Sequence, residues 1–487
     1  MPSKSETLSY PSNRQPPNPQ PPPPPSSPTD FFFSLFHHHP RLCLLSLFLL
    51  LQLLFLISFS DHRMPFLTAA PSASISAVNS TTPPPDQCEN GKIFVYDLPS
   101  QFNSDLYQNC DKSSAWGNWC GALSNDGFGR KVTENNHLMP ENLASAWYST
   151  DQFSSEVLFH NRLLFHKCRT LDPESATAYY IPFYAGIAVG KYMMDEFSPK
   201  DRDQHCEKML EWVQKNYPYF KKSNGWDHFL VMGRITWDFR RYGDQGWGSR
   251  CITMPSMTNV TRLLIEKNPW DYFDVGVPYP TGFHPSNPSD VVSWQEFVRS
   301  RERRSLFCFA GGTRGWVEND FRGLLLSQCR NSSKSCRLVD CSGGQGCGTS
   351  VILESFLDSE FCLQPRGDSF TRRSIFDCML AGSIPVFFWR RSAYLQYEWF
   401  LPGESESYSV FIHRDEVRNG TLIKAVLEKY GKEEIKRMRE KVVETIPKLI
   451  YAKPNEGLGS MKDAIDIAVD GVLKRIKDRK NEEINLG

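Results

Sequence analysis

The sequence predicts an α/β protein: two successive Rossmann-like domains facing each other across a cleft, preceded by a single N-terminal transmembrane helix. Three observations carry this. From residue 88 onward, short apolar runs of strand length alternate with helical stretches, the pattern of a mostly parallel sheet covered on both faces. A basic, polar break at Val298 to Arg304 interrupts the alternation, which then restarts. The 487 residues also exceed what one core usually holds. Balanced charge, 55 basic against 55 acidic residues, removes the electrostatic case for a nucleic-acid partner.

Residues 1–41 carry 12 of the 34 prolines, including the run Pro21 to Pro25, and read as an extended cytosolic tail. Leu42 to Phe59 contains no charge. As a helix it spans roughly 27 Å, enough for a bilayer core. It reads as a signal anchor because no clear small-x-small cleavage site follows. Residues 60–87, rich in Ser, Thr, Ala and Pro, form a stem. Of the 14 cysteines all but Cys43 lie beyond the anchor, which suits an oxidising lumen and a type II topology. Cys329, Cys336, Cys341 and Cys347 lack paired C-x₂-C spacing, so local disulfides are expected rather than zinc. Thirteen lumenal cysteines leave at least one unpaired. Sequons begin at Asn79, Asn259, Asn331 and Asn419.

The first domain, 88–297, has strands at Lys92–Pro99, Ala178–Gly186, His228–Gly233 and Asp271–Pro278, with a helix across Thr150–Lys167. The second, 298–487, has strands at Ser305–Gly312, Cys336–Cys341, Glu360–Asp368, Ser383–Phe388 and Tyr408–Ile412. Helices fall near Gly315–Gln328, near Ser350–Leu357 and from about Ser369, and a Lys/Glu-rich helical stretch closes the chain.

Open α/β sheets bind ligands at the carboxyl ends of their strands. In the second half that rule selects Gly311, Gly312 and Arg314, then Arg366, Gly367 and Asp368, then Trp389 to Arg391. In the first half it selects Asp97, Tyr184 to Gly186, Gly233, Arg234 and Asp238. The densest segment is Phe361–Phe388. Its Arg366, Arg372 and Arg373 are expected to converge near a helix start at Ser369 or Thr371, where forked guanidinium groups suit a diphosphate. Asp377, one turn after Arg373, reads either as an ion-pair partner of that arginine or as an acceptor for ribose hydroxyls. The segment fits neither a Walker loop nor G-x-G-x-x-G.

That segment, CLQPRGDSFTRRSIFDCMLAGSIPVFFWRRSAY, resembles the C-terminal signature of exostosin-type, family 47 glycosyltransferases. FVYDLP, LSNDGFG, DQFSSEVLFHNRLL, IPFYAGIAVG, GWDHFLVMGRITWDFRR, VPYPTGFHP and LFCFAG resemble its plant xyloglucan galactosyltransferase branch. The LDPESATAYYIPFYAG run and the C-terminal segment are most similar to members acting on the second xylosyl position. The resemblance covers Cys88 to Lys480 and implies a GT-B fold in a Golgi membrane enzyme. It implies inverting transfer of β-galactose from UDP-galactose to a xylosyl 2-hydroxyl of xyloglucan. One carboxylate or imidazole would act as base, and cations would receive the departing diphosphate. By the same resemblance Arg366, Arg372 or Arg373, and Asp377 line the donor site with Gly367, Asp368, Ser369, Thr371, Gly311 and Arg314. Many members carry Arg where this chain has Ser374.

The only D-x-D, Asp201-Arg202-Asp203, lies in a polar stretch and reads as a loop or helix start, so no metal cofactor is expected. Base candidates are Asp97, Glu156, Asp227, His228 and Asp238, with Asp238 favoured slightly and Asp97 next because both follow their strands. Acceptor contacts are expected from Tyr184, Gly233, Arg234 and Trp237. Trp226, Trp247, Tyr279 and Phe283 serve either as further stacking surfaces or as core. Expected partners are xyloglucan, a UDP-sugar, the Golgi membrane and other xyloglucan-synthesising enzymes. Alternatives are the third xylosyl position, UDP-galacturonate or UDP-arabinose as donor, or a non-catalytic glycan-binding scaffold.

Overall fold

The computed structural model describes residues 88–486 apart from 112–117, 133–137, 194–195, 315–319, 343–346 and 454. They belong to one compact unit, Pro84–Gly487. The expected tail, anchor, stem, Cys43 and Asn79 lie outside them. Among the described residues no helix is long and apolar enough to cross a membrane.

Two parallel sheets follow one another along the chain. The first contains β1 (Ile93–Val95), β4 (Arg169–Thr170), β5 (Ala178–Tyr180), β6 (His228–Ile235), β7 (Thr261–Glu266) and β8 (Asp274–Gly276). Its spatial order is β4-β1-β5-β6-β7-β8, and every pairing is parallel. The short β2 (Arg130–Lys131) and β3 (Tyr148–Ser149) form a separate antiparallel ribbon. The second sheet contains β9 (Ser305–Gly311), β10 (Cys336–Asp340), β11 (Ser359–Gln364), β12 (Ile384–Phe387) and β13 (Val410–Phe411) in the order β10-β9-β11-β12-β13, again all parallel. Both begin at a central strand, step outward once, then cross back. This doubly wound arrangement puts a switch point between β1 and β5 and another between β9 and β11.

The strands form where apolar runs let both faces be buried: Phe229 to Met232 and Phe361 to Leu363 are fully enclosed. The sequence reading passes over β7. Its Thr261, Arg262 and Glu266 disguise a strand buried along its whole length. Arg262 is tolerated there because Asp274 takes its Nε at 2.6 Å and Asp271 its Nη2 at 2.7 Å.

Of the expected break Val298 to Arg304, the first three residues end the helix Pro288–Ser300, with Val298 buried, and the rest lead into β9. The closing helix Ala464–Leu486 lacks a contiguous apolar run, yet it buries Ala468, Val469, Val472 and Ile476 on one face. It returns to the first half of the chain. Asp466 meets Arg162 and His166 at 3.3 Å, and Lys477 donates to the Glu89 carbonyl.

Six disulfides join Cys88–Cys168, Cys110–Cys120, Cys206–Cys251, Cys329–Cys336, Cys341–Cys347 and Cys362–Cys378. The expected local pairing therefore holds, and among the described residues buried Cys308 is the unpaired thiol. The D-x-D is a helix start. Asp201 completes a capping box with Ser198 on the helix Pro199–Asn216, and Asp203 pairs with Arg241 at 2.5 Å.

Candidate active site

The second sheet's switch point opens into a cavity of about 210 Å³. Arg314 reaches it from the loop after β9, Arg366 and Gly367 from the loop after β11, Phe388 and Trp389 from the end of β12, and Arg414 and Arg418 from beyond β13. Phe321 and Arg322, at the start of the helix Phe321–Asn331, complete the wall. Among the described residues, five arginines thus line it with one aspartate, Asp320. That carboxylate is already engaged by the backbone N–H groups of Arg314, Arg322 and Gly323.

The positive charge is under mutual strain. Burial, then the neighbouring guanidinium groups of Arg372, Arg314 and Arg366, lower Arg322 to about 9. Burial and Arg366 lower Arg314; burial and Arg314 lower Arg372. Arg372 Nη1 is buried without a hydrogen-bond partner among the described residues. Arg366 and Arg391 lie over the Trp389 ring, each at 5.3 Å. Clustered guanidinium groups on an aromatic wall form a receptor for a polyanion with a flat moiety.

The loop carrying Arg366 and Arg372 is held by the other sheet. Glu266, at the end of β7, accepts from Ser369 Oγ and from the Thr371 N–H, the latter at 2.9 Å. With both residues drawn off to Glu266, the helix expected from Ser369 or Thr371 begins only at Ser374 and runs seven residues to Leu380. Gly367 is required by the turn, since a Cβ there would sit 2.5 Å from the Thr371 carbonyl. Asp368 pairs with Arg314, and Gly311 ends β9 beside Asp340.

The expected convergence of three arginines does not form. Arg373 turns away from the cavity, donating through Nη1 to the Thr150 carbonyl at 2.5 Å and through Nε to Asp377 at 3.2 Å. Asp377 thus takes the ion-pair alternative. Its carboxyl is raised by burial and lowered by Arg373.

The first sheet contributes a second cluster. Glu156 is fully buried and accepts the N–H groups of Gly186 at 2.5 Å, Gly233 at 2.8 Å and Ile187 at 3.3 Å. Burial pushes it up to about 7 despite those donors and Arg234. Gly233 permits the approach, because a Cβ would meet the Phe153 carbonyl at 2.7 Å. Arg234 donates to the Gly186 carbonyl at 3.0 Å, lies over the Phe153 ring at 4.5 Å, and pairs with Asp238 at 3.5 Å. Asp238 also accepts from Trp247 Nε1 at 2.7 Å. Burial raises its carboxyl, and Arg234 and Trp247 oppose the shift.

Burial raises both Glu266 and Tyr279, and the Asp238 carboxylate adds to each shift. Asp97 is exposed, and its backbone N–H and carbonyl both bond the Tyr217 hydroxyl at 3.0 Å.

Other expected contacts prove structural. Tyr184 is buried and bonded to His160 at 2.9 Å, so it faces no cleft. His228 is enclosed between Tyr96 and Asp227, at 2.5 and 2.6 Å. Tyr279 and Phe283 are core, and Trp226 is half-buried beneath Arg479. Trp237 and Trp247 are exposed. Asn331 and Asn419 are exposed, while Asn259 is half-buried with its amide on the Asn224 carbonyl.

Sequence reasoning missed Glu266, Arg322, Arg414 and Arg418 as site residues. The rule of strand carboxyl ends would have found Glu266 had TRLLIE been recognised as a strand. Arg414 and Arg418 follow β13 and carry no motif.

A profile of the Exostosin GT47 domain matches residues 87–429. The Arabidopsis thaliana protein Xyloglucan galactosyltransferase XLT2 is 61% identical over 397 residues, covering 81% of this chain and 77% of that one. Xyloglucan galactosyltransferase MUR3 of the same plant is 41% identical over 413 residues, 84% of this chain and 66% of that one. Its Xyloglucan-specific galacturonosyltransferase 1 is 39% identical over 396 residues, 80% and 58%. Among solved structures, S. aureus TarM in complex with UDP matches 55% of this chain and 58% of its own at 10% identity and a TM-score of 0.28. The spinosyn rhamnosyltransferase SpnG matches 79% and 100% at 10% identity and 0.27.

Proposed function

The chain belongs to the exostosin GT47 family, and from that membership we propose that it is an inverting GT-B galactosyltransferase. It moves β-galactose from UDP-galactose to the 2-hydroxyl of a xylosyl side chain of xyloglucan, at the second xylose of the repeat. The observation that carries this is the arginine cavity at the switch point between β9 and β11. Relatives bearing xyloglucan galactosyltransferase names support the sugar and the acceptor.

In this reading Arg314, Arg322, Arg366 and Arg372 hold the diphosphate, and uracil lies against Trp389. The acceptor oxygen attacks the anomeric carbon as the bond to the diphosphate breaks. Asp238 takes the hydroxyl proton, and charge developing on UDP falls among guanidinium groups that otherwise repel one another. Those cations replace a metal. The enzyme sits in the Golgi membrane as a single-pass type II protein with its catalytic unit lumenal, alongside other xyloglucan-synthesising enzymes.

A second donor, UDP-galacturonate, is favoured by one feature: Arg414 and Arg418 add charge beyond what a diphosphate needs, enough for a sugar carboxylate. The test is to incubate the full chain, from a eukaryotic secretory host, with a xylosylated, ungalactosylated oligosaccharide and single UDP-sugars, with and without EDTA. Mass spectrometry should locate one hexose on the second xylose, indifferent to EDTA. Addition to the third xylose overturns the position, uronate transfer overturns the donor, and no transfer despite UDP binding overturns the enzyme.

A further inference from the structure

Among the described residues six aromatic side chains stand exposed, and five fall in two short segments: Trp237, Tyr242 and Trp247, then Trp270 and Tyr272. The segments leave the carboxyl ends of the adjacent strands β6 and β7. Both are tied to one carboxylate, Asp274, which accepts from Thr236 Oγ1 at 3.3 Å and from the Asn268 N–H at 3.1 Å.

Exposed indoles normally cost solubility. Here three are fixed in place while remaining open to solvent. Trp237, 49% exposed, has Arg240 over its ring at 4.8 Å. Trp247, 38% exposed, is anchored through Nε1 to Asp238. Trp270, 65% exposed, has Arg391 over its ring at 4.5 Å and the Phe370 ring at 6.2 Å. Phe370 continues to Trp389 at 5.4 Å, in the wall of the arginine cavity. Tyr272, at the far end of the second segment, has Arg475 of the closing helix over its ring at 4.7 Å.

We infer that Trp237, Trp247 and Trp270, with Tyr242, form a stacking platform for a neutral polysaccharide backbone beyond the sugar that reacts. Pre-fixed rings offer large apolar faces at little entropic cost. The C–H faces of pyranose rings in an extended glucan match such surfaces. The platform's continuity with Asp238 on one side and Trp389 on the other aligns a bound chain with the transfer site. The chemistry of the occupant rests on the glycosyl-transfer reading above.

The test is affinity electrophoresis of the full chain, in detergent, through native gels with and without dissolved xyloglucan polymer. UDP binding is measured in parallel. The wild type should be retarded. Trp237→Ala and Trp270→Ala should each weaken retention roughly tenfold, as for anchoring aromatics at interfaces, with UDP affinity unaltered. Trp270→Phe should restore most of the retention, which separates ring stacking from misfolding. Retention unchanged in both alanine variants overturns the platform, as does a wild type that transfers sugar yet is not retarded. A dimer abolished by Trp270→Ala also overturns it, reassigning the face to a second copy of this chain. Retention on an unsubstituted β-glucan without any transfer would sustain the platform and sink the transfer reading instead.

Discussion

The carboxylate of Glu266 accepts the backbone N–H of Thr371 at 2.9 Å, so a residue ending a strand of the first sheet fixes the loop that arms the cavity of the second. Glu266→Ala leaves that N–H without its acceptor and frees the Ser369 hydroxyl, a loss of about 2 kcal/mol. Because Arg366 and Arg372 ride on the same loop, KM for the UDP-sugar should rise roughly tenfold with KM for a short acceptor little changed. Steady-state kinetics with each substrate varied in turn checks the asymmetry.

Arg372 and Arg373 are neighbours with opposite assignments. Arg372→Ala should weaken UDP binding by about 2 kcal/mol, roughly thirtyfold, since a charge-assisted contact is lost. Arg373→Ala should leave UDP affinity nearly intact and lower thermal stability by removing the bond to Thr150. Calorimetric titration and a melting curve on both variants decide it. Equal losses in UDP affinity would place Arg373 in the cavity after all.

Much of this architecture was legible from apolar runs alone. β1, β5, β6 and β8 to β13 lie where they were expected, most of them on the apolar runs that strands covered on both faces need. β7 escaped because a buried Arg262, neutralised by Asp271 and Asp274, is indistinguishable in one dimension from a solvated arginine. Glu266 escaped with it. The direction of Arg373 was equally hidden, since its partner Thr150 lies 223 residues away. Motifs picked out the loop after β11, and only the packing of the two sheets separates Arg366, which lines the cavity, from Arg373, which holds Thr150.

Asp238 should behave as a base and Asp97 should not. Asp238→Asn is expected to lower kcat by at least a hundredfold with UDP binding retained, whereas Asp97→Asn should leave both near wild type. A fully active Asp238→Asn enzyme would exclude that carboxylate as the base.

Glu156 gives a pH signature. Its folded-state pKa, about 7, lies above the ordinary 4.5, so the folded protein holds the proton more tightly. Stability from this group is complete below about pH 4.5 and lost as pH rises towards 7, by up to about 3 kcal/mol. Melting curves of the wild type should therefore fall relative to Glu156→Gln across that window. Parallel curves would show that the carboxyl titrates normally.

Cys308 should be the single thiol of the folded region. Burial pushes it up to about 12, so a maleimide should leave the native protein unlabelled there and add once per folded region after unfolding without reductant. Two or more additions would contradict the six pairings.

The bond from Lys477 to the Glu89 carbonyl joins the last long helix to the segment just before β1. Residues near the start and the end of the described chain therefore meet at the amino-terminal pole of the first sheet, so loss of the closing helix would loosen the start of β1 as well.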